Sequence, residues 1–177
     1  MKICVFCGSS SGNNSVYSRT AKELGALIAQ RNHSLVYGGG NVGLMGIVAD
    51  AVLENKGEVT GVIPRFLMDR EVGHSGLTSL EIVSSMHERK KRMADLSDAF
   101  LAIPGGWGTL EELGEILTWK QLGLVSQPVG VLNTNGFFDP LLTQMKHMVQ
   151  EGFLREENFS SIKTSQSPSE ILSLLIP

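Results

Sequence analysis

Short apolar runs alternate with longer amphipathic stretches along the whole chain. Lys2 to Phe6 reads as a first strand, and the small-residue loop Cys7-Gly8-Ser9-Ser10-Ser11-Gly12 follows at its carboxyl end. Ser15 or Asn14 can cap a helix to about Arg31, with Ala21, Leu24, Leu27 and Ile28 on its apolar side. Ser34 to Tyr37 gives a second strand, then come the glycines of Gly38 to Gly43 and a helix from about Leu44 to Asn55. Glu58 to Ile63 is a third strand, which Pro64 ends. Arg65 to Gly76 has no clear period and carries Arg65, Asp69, Arg70, Glu71 and His74, so it reads as a mobile loop or lid. Leu80 to Ser84 is a short strand, and Met86 to about Leu96 a helix. Ala99 to Ile103 is a continuous apolar run, the pattern of a strand buried on both faces. Leu110, Leu113, Leu117 and Leu124 then recur at helical spacing, with Gly123 as the stop. Gln127 to Leu132 is another strand, and Phe137 or Asp139 opens a helix to Gln150. Phe159 to Lys163 reads as a last short strand, and Ser167-Pro168-Ser169 opens a final helix to Leu175. Strands alternating with helices predict an α/β fold, a doubly wound parallel sheet flanked by helices, with residues 1–177 as a single domain. Ligand loops in such a sheet share one rim, outside the carboxyl ends of the strands.

Composition narrows the partners. With 177 residues and a net charge of -3, the chain can bury a full core but carries no electrostatic footprint for nucleic acid or a membrane surface. The apolar run Ile3 to Cys7 is too short for a signal peptide, and no segment approaches a membrane span, so a cytoplasmic location is expected. Cys4 and Cys7 form a C-x-x-C, but inside a strand positions three apart point to opposite faces. Two small buried hydrophobes fit that placement better than a redox or metal pair. The four histidines (33, 74, 87, 147) are scattered, and no cluster has metal spacing.

The richest chemistry lies in Pro104-Gly105-Gly106-Trp107-Gly108-Thr109-Leu110-Glu111-Glu112. Three glycines and a threonine stand where a buried strand ends and a helix begins. Glycine lets a ligand approach the backbone, and the first N–H groups of a helix have no internal partner. With the helix dipole, that makes an anion site, most naturally for phosphate. A carboxylate at a helix start is ordinary capping chemistry. Glu111, Glu112 and Glu115 cannot all be caps, and a carboxylate one turn from a phosphate can face whatever that phosphate anchors.

Gly38 to Gly43 matches G-x-G-x-x-G between a strand and a helix, but it follows the second strand and lacks a well-placed acidic residue. A mononucleotide or phosphate loop fits better than a dinucleotide fingerprint. A Walker loop is absent. On the helix after Ser84, Met86, Arg89, Lys90 and Met93 share one face, either a solvated basic face or a cationic wall of the same rim. Phosphate, carboxylate and arginine together suit the breaking of a bond at an anomeric carbon. The oxocarbenium-like transition state is positive, and a carboxylate stabilises it while a second group activates water or assists the leaving base.

The segment Met86-His-Glu-Arg-Lys-Lys-Arg-Met93, followed closely by Pro104-Gly-Gly-Trp-Gly-Thr-Leu-Glu-Glu112, strongly resembles the LOG family of cytokinin riboside 5'-monophosphate phosphoribohydrolases, often labelled lysine decarboxylase-like. The N-terminal C-G-S-S and the Y-G-G-G-N-x-G-L-M-G segment match as well. The resemblance implies a Rossmann-like fold, a homodimer, no cofactor, and hydrolysis of the N-glycosidic bond of a nucleoside 5'-monophosphate, such as an adenosine monophosphate with or without an N6 substituent. It implies Arg89 and Glu112 as the catalytic pair. Gly105, Gly106, Gly108 and Thr109 would hold the phosphate, and Gly8, Ser9, Gly39, Gly40, Met86 and Lys90 would be further substrate contacts. A pyridoxal-phosphate decarboxylase would need a Schiff-base lysine, and no lysine sits in the glycine loops. A nucleotide-binding protein without catalysis needs only those loops; Arg89 and Glu112 together favour the hydrolase.

Overall fold

The computed structural model describes residues 1–68 and 73–176. Among them, seven strands form one parallel sheet in the order β4-β3-β2-β1-β5-β6-β7. The strands are β1 (Lys2–Phe6), β2 (Ser34–Tyr37), β3 (Val59–Pro64), β4 (Ser79–Val83), β5 (Ala99–Ala102), β6 (Val129–Leu132) and β7 (Lys163–Ser165). The helices between them are α1 (Ser15–Gln30), α2 (Gly43–Glu54), α3 (Met86–Asp95), α4 (Trp107–Gln121), α5 (Asp139–Gln150), α6 (Glu156–Ser160) and α7 (Pro168–Leu175). The chain steps outward from β1 to β4 and then returns to pair β5 with the other side of β1. That reversal opens a crevice between the carboxyl ends of β1 and β5, where ligands of such sheets bind.

Alternation along the strands sorts the core into two layers. Ile3, Val5, Leu35, Tyr37 and Leu101 face Leu24 and Ile28 of α1, Val48 and Val52 of α2, and Ile171 and Leu172 of α7. Cys4, Phe6, Val36, Phe100 and Val131 face Met93 of α3 and Leu113 and Ile116 of α4 on the other side. The α1–α2 contact is close because of Gly25, where an added Cβ would sit 2.6 Å from the Val48 carbonyl oxygen and 2.7 Å from the Ala51 Cβ. Caps fall where the polar residues allowed them. Asn14 accepts from the Val16 N–H, Ser85 from that of Glu88, and Ser167 from that of Glu170.

The expected strand over Phe159 to Lys163 is wrong. Phe159 and Ser160 finish the one-turn helix α6, and the last strand starts only at Lys163. Phe159 and Ile162 are half-buried from a helix turn and a loop, and a short apolar run alone does not distinguish helix from strand. In the expected lid, Arg65–Leu67 form a 3-10 turn, while Asp69, Arg70 and Glu71 lie outside the described residues. Its far end is tied down: Gly73 bridges to Gly40, the His74 N–H donates to the Gly39 carbonyl, and the buried His74 ring pairs with Asp50.

Met93, which its spacing puts on one face with Arg89 and Lys90, is a core residue. Large apolar side chains do reach the surface elsewhere: Trp107, Leu122 and Leu124 around α4, and Met148 and Phe153 around α5. None of the α5 residues is fully buried, although the helix is amphipathic. Among the described residues, no helix is long and apolar enough to cross a membrane.

Candidate active site

The site is built where two loops cross at the reversal in strand order. The Gly8 N–H, just past β1, donates to the Pro104 carbonyl just past β5, and the Gly8 carbonyl accepts from the Leu44 N–H at the start of α2. The crossing is tight enough to dictate sequence. An added Cβ at Gly105 would stand 2.1 Å from the Thr109 Oγ1 and 2.7 Å from the Gly8 nitrogen. At Gly43 the backbone has a φ of 59° and an added Cβ would lie 2.3 Å from the Ser9 carbonyl carbon, so conformation and space both require glycine.

Gly106 and Gly108 differ from these. Nothing lies within 4 Å of where their Cβ atoms would be, and neither has a positive φ. Chain packing therefore does not demand glycine at 106 or 108; a ligand lying against the backbone would. Gly106 is the N-cap of α4 and supplies no side-chain cap, and no acidic residue occupies the first turn. Capping thus does not account for Glu111 or Glu112. Beneath the helix start, Thr109 is 2% exposed and its Oγ1 has no hydrogen-bond partner among the described residues. A buried hydroxyl of that kind costs stability unless something pairs with it. Backbone N–H groups, the dipole and this hydroxyl converge as an anion site does.

Arg89 enters from α3. Its side chain is buried, with Nε donating to the Val62 carbonyl at 3.1 Å and Nη2 to the Gly38 carbonyl at 2.8 Å. The guanidinium fills the space beside Gly38, where an added Cβ would be 2.0 Å from Nη2. Two backbone carbonyls at the carboxyl ends of β2 and β3 thus hold a fixed positive charge in one orientation.

These parts share one cleft of about 200 Å³. Of the residues expected at the site, Gly8, Ser9, Met86, Arg89, Gly106, Gly108, Thr109 and Glu112 line it. Gly105 packs directly under Thr109, at the edge of the adjoining hollow that Tyr17 and Phe137 close. Gly39, Gly40 and Lys90 are not among the described lining residues. The first two are stitched to Gly73 and His74, and the Lys90 ammonium goes to Glu111 and Glu115 on α4. Val5, Cys7, Gly38, Met45, Leu67 and Trp107 join the lining without having been singled out, and Glu111 reaches it beside Glu112. Cys7 and Gly38 immediately follow strands and were findable from that position; Leu67 left no sequence signal.

Electrostatics couple the cleft to the core beneath it. Burial first, and then the nearby Glu112 charge, push the Cys4 thiol well above its usual range. A thiol held that way is inert packing. Cys7, half-buried in the cleft wall, is not the core residue the sequence suggested. No lysine occurs among the described lining residues. Among the described residues, no group of three or more His, Cys, Asp or Glu could hold a metal ion.

Comparison with known proteins places this site in a family. A family model described as "Possible lysine decarboxylase" matches residues 45–175. A probable cytokinin riboside 5'-monophosphate phosphoribohydrolase of Oryza sativa subsp. japonica is 48% identical over 174 residues, covering 98% of this chain and 71% of that protein. A cytokinin riboside 5'-monophosphate phosphoribohydrolase of Arabidopsis thaliana is 46% identical over 174 residues, covering 98% and 82%. Among solved structures, a molybdenum cofactor binding protein from Rippkaea orientalis superposes with a TM-score of 0.72 at 21% identity, covering 98% of this chain and 93% of that one. The molybdenum cofactor carrier protein of Chlamydomonas reinhardtii gives 0.72 at 19% identity, covering 98% and 94%. These two likenesses concern the fold, which is Rossmann-like. The relatives at nearly half identity over almost the whole chain decide the family: the chain belongs to the LOG family of cytokinin riboside 5'-monophosphate phosphoribohydrolases.

Proposed function

We propose that this protein hydrolyses the N-glycosidic bond of adenosine 5'-monophosphates, with or without an N6 substituent, releasing the free base and ribose 5-phosphate. The observation that carries it is the unpartnered, buried Thr109 hydroxyl under an uncapped helix start, in one cleft with Glu112 and Arg89. The family membership supports the same chemistry. The phosphate lies against Gly106, Gly108 and Thr109, which places the ribose one turn along α4, next to Glu112. The Glu112 carboxylate stabilises the oxocarbenium-like transition state and takes the proton of the attacking water. Arg89 cannot serve as a base, because its guanidinium stays protonated. Its rigid positive charge instead stabilises the negative charge that develops on the leaving base. Met45, Leu67 and Met86 offer the base an apolar wall. The lysine-free lining argues against the Schiff-base chemistry that the family model's description suggests.

A homodimer completes the proposal. Trp107 lines the cleft yet is 89% exposed, apolar surface that a second copy would cover. Light scattering at micromolar concentration is expected to give the mass of two chains; the mass of one chain contradicts this part.

The function itself is tested by incubating the purified protein with a panel of nucleosides and their 5'-monophosphates and measuring free base and ribose 5-phosphate. Release from monophosphates and little or none from nucleosides is expected. Tight binding without release would identify a non-catalytic binder instead, and equal rates on both classes would remove the phosphate site.

The second test separates the two neighbouring carboxylates. Glu112→Gln is expected to lower turnover by roughly a hundredfold or more, the range for losing one acid–base group. Its stability should move by less than about 1 kcal/mol, because the side chain caps nothing. Glu111→Gln, about 100° round the helix, should change turnover far less. A nearly active Glu112→Gln, or an inactive Glu111→Gln, refutes the assignment.

A further inference from the structure

Arg89 and Glu112 stand on different helices, and each has a charged neighbour one residue away: Lys90, which turns out of the cleft, and Glu111, which lines its edge and meets Lys90 there. Consecutive helical residues diverge by about 100°, so Lys90 cannot follow Arg89 into the cleft floor. It reaches across to α4, where its ammonium pairs with Glu111 and, at 3.1 Å, with Glu115. Those two carboxylates are four residues apart and share a face of α4, so one ammonium meets both. The Lys90 side chain is only 9% exposed, in a small recess formed with Phe6, Ala94, Ile116 and Trp119. Burial lowers its pKa, but the hydrogen bonds from Glu111 and Glu115 more than offset that, and the net shift is upward.

From this placement we infer that Lys90 is a positioning residue, which ties α3 to α4 through Glu111 and Glu115 and so sets the geometry between Arg89 and Glu112. The inference rests on the hydrolase reading above and gives Lys90 a role other than contact with the substrate. One tie sits beside both reacting groups: Lys90 is next to Arg89, and Glu111 is next to Glu112. It also holds the first turns of α4, which carry Thr109 and the phosphate-facing backbone. Arg89 is independently fixed to Val62 and Gly38, so the sheet defines one side of the site and the Lys90 tie brings the other side to it. Displacements of an ångström in such an arrangement cost about a hundredfold in rate.

The inference is read from a double-mutant cycle on the full-length protein, using the wild type, Lys90→Met, the pair Glu111→Gln/Glu115→Gln, and the triple variant. Turnover and KM are measured on a nucleoside 5'-monophosphate, the dissociation constant on ribose 5-phosphate by calorimetry, and folding by thermal melting. Lys90→Met and the carboxylate pair should each lower kcat about tenfold or more, with KM and the dissociation constant changed by less than about threefold. The triple variant should be no slower than Lys90→Met alone, because a tie can be cut only once. Lys90→Arg, which keeps the charge and can still reach both carboxylates, should lose less than Lys90→Met. Weakened ribose 5-phosphate binding in Lys90→Met, with a normal carboxylate pair, would make Lys90 a substrate contact and overturn the inference. Additive losses would overturn it as well. A melting shift with unchanged kcat would reduce the tie to stability and do the same. A wild type that releases no base overturns the hydrolase reading, and this inference with it, whereas an active wild type with any contrary outcome sinks only the inference.

Discussion

The close crossing of the β1 and β5 loops is the constraint on which the site depends. With Gly8 hydrogen-bonded to Pro104 and Gly105 pressed against the Thr109 side chain, there is no room for a single additional carbon at Gly105. That contact fixes where α4 begins and which way its first N–H groups point. It also fixes where the second turn, carrying Glu112, faces. The same Gly8 carbonyl seats the start of α2, so three loops are referenced to one point. The parallel sheet supplies the crevice by reversing its strand order there. Glycine content in this chain is thus positional: some glycines let the protein touch itself, and Gly106 and Gly108 leave its backbone approachable.

Charge is arranged on the same frame. Arg89 is locked by carbonyls that are 27 and 51 residues away in sequence, and Lys90 is drawn to α4 by two carboxylates. Both cations are buried or nearly so, and both donate to oxygen acceptors, the condition under which buried charge is tolerated. In the cleft, Arg89 is therefore preorganised charge rather than charge that must be recruited from solvent, which suits the negative charge that the proposed reaction develops on its leaving base.

Much of this was legible in the sequence, for physical reasons. β1 and β2 are apolar runs bounded by glycine or small polar residues, and their limits match the structure to the residue. Thr109 and the glycines around it were marked by a strand-to-helix junction whose chemistry is local, whereas the pairing of Arg89 with Glu112 came from the family resemblance. What depends on distant contacts was not legible. Lys90 and Arg89 look alike in a basic run, and only the fold shows one going to strand carbonyls and the other to α4. Gly39 and Gly40 look like ligand glycines, yet they receive the segment around His74. Phe159 to Lys163 failed because five residues are too few for a period to show itself. Leu67 enters the cleft from a turn whose sequence has no pattern at all.

Phosphate binding under the start of α4 is the claim on which the rest stands, and Thr109→Val tests it most directly. Valine keeps the volume of the side chain and removes a buried hydroxyl that has no partner among the described residues. Ribose 5-phosphate titrated into wild type and variant by calorimetry, with thermal melting alongside, gives the decisive pair of numbers. The expected result is a loss of affinity of about tenfold or more, the worth of a hydrogen bond to a charged group, with a melting temperature unchanged or raised. Equal affinity in the two proteins would contradict a phosphate held by Thr109 and the helix start.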